Sequence, residues 1–549
     1  MNKIKYLYRS LWPAVLTIFC LACQTSPEPD APVATYHKWH RVELVLNGPE
    51  TEVTADPNPF LLEVNVIFTA PDASSYAVPA FYDGDGQGGG KGHVWKVRFS
   101  PNATGAWKYE SASAEPALAG FRGAFNVDEP PADSADFLKW GRLIYAGGHY
   151  LKFTDGGYWI KGGCDDPENF LGASFLFSDF NEPDTWASKK KAADYLSGRK
   201  VNSIYCITNT IHGDRPDSWP WIGNGTDSNN RDRFDVGKLL AWEDFFDYCQ
   251  NKGLVLHLVL NDDSGWIGYD SRLYFREMVA RFGHHPAIIW NIGEEANETF
   301  SNAEQEALAQ QMKSIDPFGH LVTVHRKPDA NLHWPFLGNP LFDLTSIQAG
   351  EGIKAFSTAI LPDLGEIVRE NRIASVQSGH PIPIMIDETS GVDLVDAATI
   401  LKMRTKVLYP IYLSGGNFEL HFKDSYGAVF NSGGEVTITA LGPMWDDMFR
   451  ARQFLEQVPF AEMEASPQLV SSVDRNFCLA KPGSVYAIYL SAGGNASINL
   501  TDIGGEYQVQ WYNPRTGERA DGGRVTGGGW RSLGSPFFAG DVAATVKKL

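Results

Sequence analysis

Cysteine is scarce, with six in 549 residues, and beyond Cys20 and Cys23 of the leader there is neither a Cys-x-x-Cys pair nor a Cys/His spacing fit for zinc. That removes a zinc-ribbon or zinc-finger reading and leaves Cys164, Cys206, Cys249 and Cys478 as expected buried free thiols. His-Glu-x-x-His and Gly-x-Ser-x-Gly are both missing, so zinc-protease and serine-esterase chemistry drop out. Positive charge is short as well: 47 Lys and Arg stand against 66 Asp and Glu, a formal net charge of −19. Such a field repels polyanions, which excludes DNA and RNA as partners and weakly disfavours a heavily sulfated polysaccharide. The one uninterrupted apolar run at the start, residues 11–22, is too short for a comfortable membrane span.

What is present begins with Lys3, Lys5 and Arg9 ahead of that apolar run, the pattern of an export signal. Leu21-Ala22-Cys23 resembles the end of a lipoprotein signal, which implies lipidation of Cys23 and a membrane anchor at the periplasmic or cell-surface side; an ordinary cleaved signal is the alternative. QTSPEPDAPVA follows as a tether over roughly residues 24–35. Residues 36–130 carry short apolar runs separated by turn clusters, including the glycine-rich hairpin DGDGQGGGKG at 83–92, and read as a β-sandwich. Asp83 and Asp85 there would suit a calcium loop, but the twelfth position holds Val94 instead of an acid.

From about 140 to 460, strands alternate with helices. WIKGG, NSIYCIT, LVLHLVL, AIIWNIG, HLVTVH, DLTSIQ, IPIMIDE and YPIYLSGGNFELHF are the eight expected strands. The turns after them carry no Gly-x-Gly-x-x-Gly, so a (β/α)8 barrel is preferred to a doubly wound sheet. KKKAAD at 189–194 reads as a solvated helix face. Residues 466–549 return to short strands, a second small β-sandwich. The expected class is therefore α/β, a TIM-type barrel between two β domains.

Functional groups of a barrel lie at the C-terminal strand ends. Two expected strands end in acids there: IIWNIGEEANE at 288–298 and IPIMIDETSG at 382–391. Glycosidic cleavage needs one carboxyl group to protonate the leaving oxygen and a second to attack or stabilise the anomeric carbon. A helix cap or salt bridge accounts for either acid alone; the pair on strands four and seven is more specific. Other mouth-facing candidates for substrate binding are Asn291 and Glu294 on the fourth strand, Asp214 and Trp219 after the second, and Trp266 after the third. His325 ends the fifth, Gln348 the sixth, and Glu419 and His421 the eighth. Indole faces stack on sugar C–H surfaces, and the polar groups can bond hydroxyls; core packing is the competing account of each.

W-N-I-G-E-E resembles the fourth-strand motif of clan A glycoside hydrolases, Trp-x-x-x-Asn-Glu, and I-D-E-T resembles their seventh-strand nucleophile. The resemblance implies Glu295 as acid/base, Glu388 as nucleophile, a retaining mechanism and no cofactor or metal. This chain departs at Glu294, which stands where Asn usually binds the sugar 2-hydroxyl and which is the alternative acid. NPF…FYDG…WKVRFSP…GAWKY, KGGCDDPENFL with LYFREMVARFG, and CLAKPGSVYAIYL with WYNPRTG resemble a group of such enzymes with an N-terminal β-sandwich of unknown function and a C-terminal collagen-binding-type β domain. Some of that group act on β-carrageenan or furcellaran. The expected partner is thus an algal or plant polysaccharide cleaved at β-linkages. A non-catalytic surface glycan-binding protein is the alternative, and a collagen adhesin a third.

Overall fold

The computed structural model describes residues 34–549 except 167, 173–174, 211–217, 224–229, 264–268, 328–332, 351–353, 423–435 and 473–474. The first β unit stacks a five-stranded sheet (Thr35–His37, Arg122–Asp128, Gly105–Ser113, Val64–Thr69, Ser75–Pro79) on a three-stranded one (Val42–Glu52, Lys91–Phe99, Phe81–Tyr82). Val64, Val66 and Phe68 alternate inward along one strand, as the two-residue period of a half-buried strand requires. Phe68 stacks on Phe99 at 4.3 Å between centroids. In the glycine-rich hairpin, a Cβ on Gly84 would lie 1.8 Å from the carbonyl of Gly89, at a φ of +56° that only glycine adopts freely. Asp83 there is not a metal ligand in waiting: it is buried against Lys96 Nζ at 2.7 Å and Arg281 at 3.1 Å.

Eight parallel strands form the central sheet, numbered here for the barrel alone: β1 (Gly162–Asp165), β2 (Ser203–Ile207), β3 (Val255–Val259), β4 (Ile288–Asn291), β5 (Leu321–Thr323 with His325–Arg326), β6 (Ser346–Gln348), β7 (Met385–Glu388) and β8 (Asn417–His421). The two pieces of β5 pair with β4 and with β6, so the sheet runs round to meet itself at Val324. Helices α1 (Thr185–Gly198), α2 (Val236–Asn251), α3 (Ser271–Phe282), α4 (Asn302–Ile315), α5 (Leu364–Gln377) and α6 (Ala397–Lys402) each begin where Asp184, Asp235, Asp270, Ser301, Asp363 or Asp396 accepts a first-turn N–H. The described part of the β5–β6 connection holds turns and no helix.

Three expectations are corrected. YPIYL of the eighth expected strand is helical: α6 continues through a π-helical turn, Met403–Leu408, into Tyr409–Leu413, and β8 starts only after Gly415 at φ +86°. A short run buried on every side does not reveal its period, which is why Tyr, Ile and Leu there suggested a strand. The Trp of WIKGG belongs to a separate antiparallel sheet (Leu143–Tyr145, Leu151–Phe153, Tyr158–Trp159). Its Leu143, Leu151, Phe153 and Trp159 pack on Val255, Ile289, Leu321 and Met385, closing the N-terminal end of the barrel. Lys189 is not solvated: it is fully buried, donates to the carbonyl of Gly172, and lies 4.4 Å from the Trp186 ring.

After helix α7 (Gly442–Leu455), a six-stranded and a three-stranded sheet build the last β unit around Cys478, Ile488, Val509 and Trp511. Buried ion pairs bind both β units to the barrel. Arg98 and Arg41 meet Glu243 of α2 at 3.2 and 2.6 Å, and Asp541 meets Arg404 at 2.7 Å. Cys164, Cys206, Cys249 and Cys478 are buried and free. Among the described residues, no helix is long and apolar enough to cross a membrane.

Candidate active site

The site is built in layers on the inner face of the barrel. At its floor, just before β1, Lys161 is wholly buried, with Nζ 2.9 Å from Asp387 Oδ1, from Glu419 Oε2 and from His257 Nδ1. Gly163 makes room for this cluster, since a Cβ there would sit 2.4 Å from Glu419. Ser203 donates to the second Glu419 oxygen at 2.8 Å. Burial raises the Glu419 carboxyl, with Lys161 and Ser203 opposing. Glu419 therefore belongs to the floor and not to the mouth, a correction with a plain cause: it lies two residues inside the end of β8, where alternation still points inward.

Asn291 is corrected in the same way. It has no exposed surface, and its Oδ1 accepts the backbone N–H groups of His325 at 3.0 Å and Gly293 at 3.3 Å. Its amide N–H groups then point at Tyr205 Oη, 3.3 Å away, and His257 Nε2, 3.1 Å away. Asn291 thus fixes the next layer instead of contacting a ligand. In that layer Tyr205 Oη is bonded to Glu294 and lies 3.0 Å from His325 Nδ1. His325 Nε2 faces Glu388 Oε2 at 3.4 Å and Glu294 Oε1 at 3.8 Å.

The mouth layer holds the two expected acids. Gln348 Nε2 donates to Glu295 Oε1 at 2.5 Å and to Glu388 Oε1 at 2.9 Å. Those lengths laid end to end cap the separation of the two oxygens at about 5.4 Å. That limit lies below the roughly 6.5–9.5 Å of inverting carboxyl pairs. Glu295 adopts φ +36°, a left-handed backbone uncommon for a side-chain-bearing residue.

The two carboxyls are pushed apart electrostatically. Burial and the charge of Glu388 raise Glu295 above the ordinary carboxylate value, with Gln348 and Lys327 opposing. Burial also works to raise Glu388, but the neighbouring His325 and His421 and the Gln348 bond outweigh it and hold Glu388 below that value. Burial raises Glu294 well above its ordinary value, aided by Glu388 and Asp165 and opposed by His325 and Tyr205. Burial disfavours the His325 cation, yet Glu294 and Glu388 raise His325 to about 9. The groups Glu294, His325, Glu388 and His257, Asp387, Glu419 each bring three side chains of metal-ligand type together, and Lys161 Nζ already lies 2.9 Å from each member of the second group.

Of the remaining expected residues, His421 lies 3.3 Å from the buried Asp165 at the end of β1. Trp219 is half buried, bonded to the Gly223 carbonyl at 3.2 Å, with Lys238 Nζ 4.2 Å from its ring centre; no contact joins it to the acids. Asp214, Trp266 and Cys23 lie outside the described residues. The sequence reading missed Lys161, Tyr205, Asp165 and Lys327. Lys327 reaches Glu295 at 3.4 Å and Glu298 at 3.1 Å. Tyr205 had a findable signal: it alternates with Ser203 along β2 and is in register with His257.

The family described as "Domain of unknown function (DUF5060)" matches residues 35–114, and that described as "Putative collagen-binding domain of a collagenase" matches residues 470–542. No curated protein matches the chain. A solved "putative glycoside hydrolase" from Bacteroides vulgatus superposes with a TM-score of 0.70 at 16% identity, covering 94% of this chain and 100% of that one. A glycoside hydrolase family 5 structure from the same species gives 0.56 at 17% identity, over 75% of this chain and 94% of that one. Another, described as "Glycoside hydrolase", gives 0.58 at 18%, over 74% and 97%. At these identities the likeness defines the fold: a (β/α)8 barrel flanked by two β domains.

Proposed function

We propose that the chain is a retaining glycoside hydrolase acting on β-linked sugars of an algal or plant polysaccharide, a carrageenan- or agar-type galactan among the candidates. The observation that carries this reading is the Gln348 amide held between Glu295 and Glu388, which keeps the two carboxyls closer than an inverting pair stands. Glu388, kept ionised, attacks the anomeric carbon while Glu295, kept protonated, transfers its proton to the glycosidic oxygen as the C–O bond breaks. The Glu295 carboxylate then takes a proton from water, whose oxygen displaces Glu388 from the sugar. The solved structures of similar fold that are described as glycoside hydrolases support the same class. Lipidation of Cys23 would hold the enzyme at a membrane surface facing exported or external glycans.

The test is oligosaccharide release from a panel of marine galactans and plant glycans, with Glu388→Gln beside the parent protein. Product from one glycan, lost in the variant, upholds the reading and names the substrate. Retention of a glycan without product, in the parent protein, overturns it in favour of a binding protein. Incorporation of labelled palmitate, abolished by Cys23→Ser, tests the anchor.

A further inference from the structure

Beneath the nucleophile lies a hydrogen-bonded chain that the two-carboxylate mechanism does not use: Glu294, Tyr205 and His325. Its donors can be counted. Asn291 Oδ1 is committed to two backbone N–H groups, so its Nδ2 is the donor to Tyr205 Oη, leaving that oxygen one lone pair and one proton. The proton goes either to Glu294 or to His325 Nδ1, its two remaining partners. If Tyr205 donates to Glu294, it accepts from Nδ1–H of His325. If Tyr205 donates to Nδ1, Glu294 must be protonated and donate to Tyr205. The arrangements interconvert when the Glu294 proton moves to Tyr205 Oη as the Tyr205 proton moves to Nδ1, so charge and atoms balance and Tyr205 stays neutral.

From this we propose that Glu294, Tyr205 and His325 share one extra proton and form a positioning relay that keeps an N–H on His325 Nε2, the ring nitrogen 3.4 Å from Glu388, in both arrangements. With the extra proton on Glu294, His325 is neutral and carries its hydrogen on Nε2. With it on His325, both ring nitrogens are protonated. Loss of the shared proton leaves Tyr205 donating to Glu294 and Nδ1–H donating to Tyr205, and only then does a bare Nε2 lone pair face the carboxylates 3.4 and 3.8 Å away.

Every charged neighbour bears on that proton. His325 is faced by Tyr205 of β2, His257 of β3, Glu294 after β4, and Asp387 and Glu388 of β7, with Glu419 of β8 and Lys161 below, while Asp165 of β1 acts on Tyr205 and Glu294. His257 is held neutral, burial and the Lys161 charge lowering it well below its ordinary value. The raised values of Glu294 and of His325 are what two sites sharing one proton show. Glu294 thereby has a role distinct from an acid or a sugar-binding amide: it works through His325 on the nucleophile.

The relay's protonation is a property of the geometry, while its effect on turnover rests on the glycosidase reading. The experiment is ring-nitrogen NMR of the full chain labelled with [15N]histidine, His325 being assigned by its loss in His325→Gln. Nε2 should stay protonated from about pH 5 to about pH 8, past the ordinary histidine range. In Tyr205→Phe the midpoint should fall by about one pH unit or more. A bare Nε2 in the parent protein at neutral pH overturns the proposal, as does an unchanged midpoint in a folded Tyr205→Phe. If that variant fails to fold, the parent spectrum still decides. In turnover, kcat of Tyr205→Phe should fall by about tenfold with KM little changed; a raised KM with kcat unmoved would instead make Tyr205 a ligand-binding group and overturn the relay. A protein without glycosidase activity leaves the NMR result standing, so the two readings fail separately.

Discussion

Lys161 Nζ stands 2.9 Å from Asp387 Oδ1, both side chains without solvent exposure, one residue along the strand from the proposed nucleophile. This pair anchors β7 from beneath, and Lys161 also neutralises Glu419. Lys161→Met should leave two buried carboxyls facing each other and destabilise the fold by about 3–5 kcal/mol. Urea denaturation followed by intrinsic fluorescence measures the loss; a stability equal to that of the parent would mean that the cluster neutralises itself by protonation.

Glu388→Gln should lower kcat by on the order of 10^3-fold or more without unfolding the protein. Glu295→Gln should cost roughly 10^2–10^4-fold on a natural glycan and far less on an aryl glycoside whose leaving group needs no proton. A steady-state comparison of the two variants on both substrate types checks the assignment. Equal losses on both substrates in Glu295→Gln would move the acid role to Glu294.

The pH profile has a definite sign. Turnover needs Glu388 ionised and Glu295 protonated. Because Glu388 is held low and Glu295 is raised, kcat/KM should fall on the acid side only below the usual carboxylate range. It should fall on the alkaline side above that range, giving a bell with a broad plateau between. Lys327 lies 3.4 Å from Glu295 and opposes its rise, so Lys327→Met should move the alkaline limb upward. A limb that stays put would show that Lys327 is screened by solvent.

The last β unit is held to the barrel by Asp541, which receives Arg404 at 2.7 Å, Arg515 at 2.9 Å and the Tyr489 hydroxyl at 2.9 Å. Asp541→Ala leaves the buried Arg404 with Asp447 as its carboxylate partner and takes the acceptor from the Tyr489 hydroxyl, and should destabilise the assembly by about 1–3 kcal/mol. Scanning calorimetry should show a lowered or split transition; an unchanged single transition would locate the bond between the two units elsewhere.

The two acids were legible in the sequence because strands ending in Glu within a βα alternation place those side chains at one rim. The architecture was legible for a related reason, since short strands, βα units and short strands follow one another with turn clusters between. The floor was not legible. Lys161 sits in WIKGG, where a charge amid apolar neighbours looks like an outward residue until its partner on another strand is known, and Glu419 in NFELH is assigned to the mouth until that same partner places it at the floor. Lys161 and Asp387 are 226 positions apart. Lys189 failed for the same reason, its acceptor being a backbone carbonyl that carries no signature. The eighth strand was misjudged because Tyr409–Leu413 is buried all round, so its residues show neither a two-residue nor a 3.6-residue period.

The left-handed backbone at Glu295 sets a bargain between durability and chemistry at one position. A side chain held there costs on the order of 1–3 kcal/mol, and glycine would occupy the same backbone at ease. Under selection for robustness alone this position would drift to glycine, yielding a sturdier and inert protein. A glutamate in so unfavourable a conformation accords with the acid role proposed for it, and the strain lies in the backbone itself.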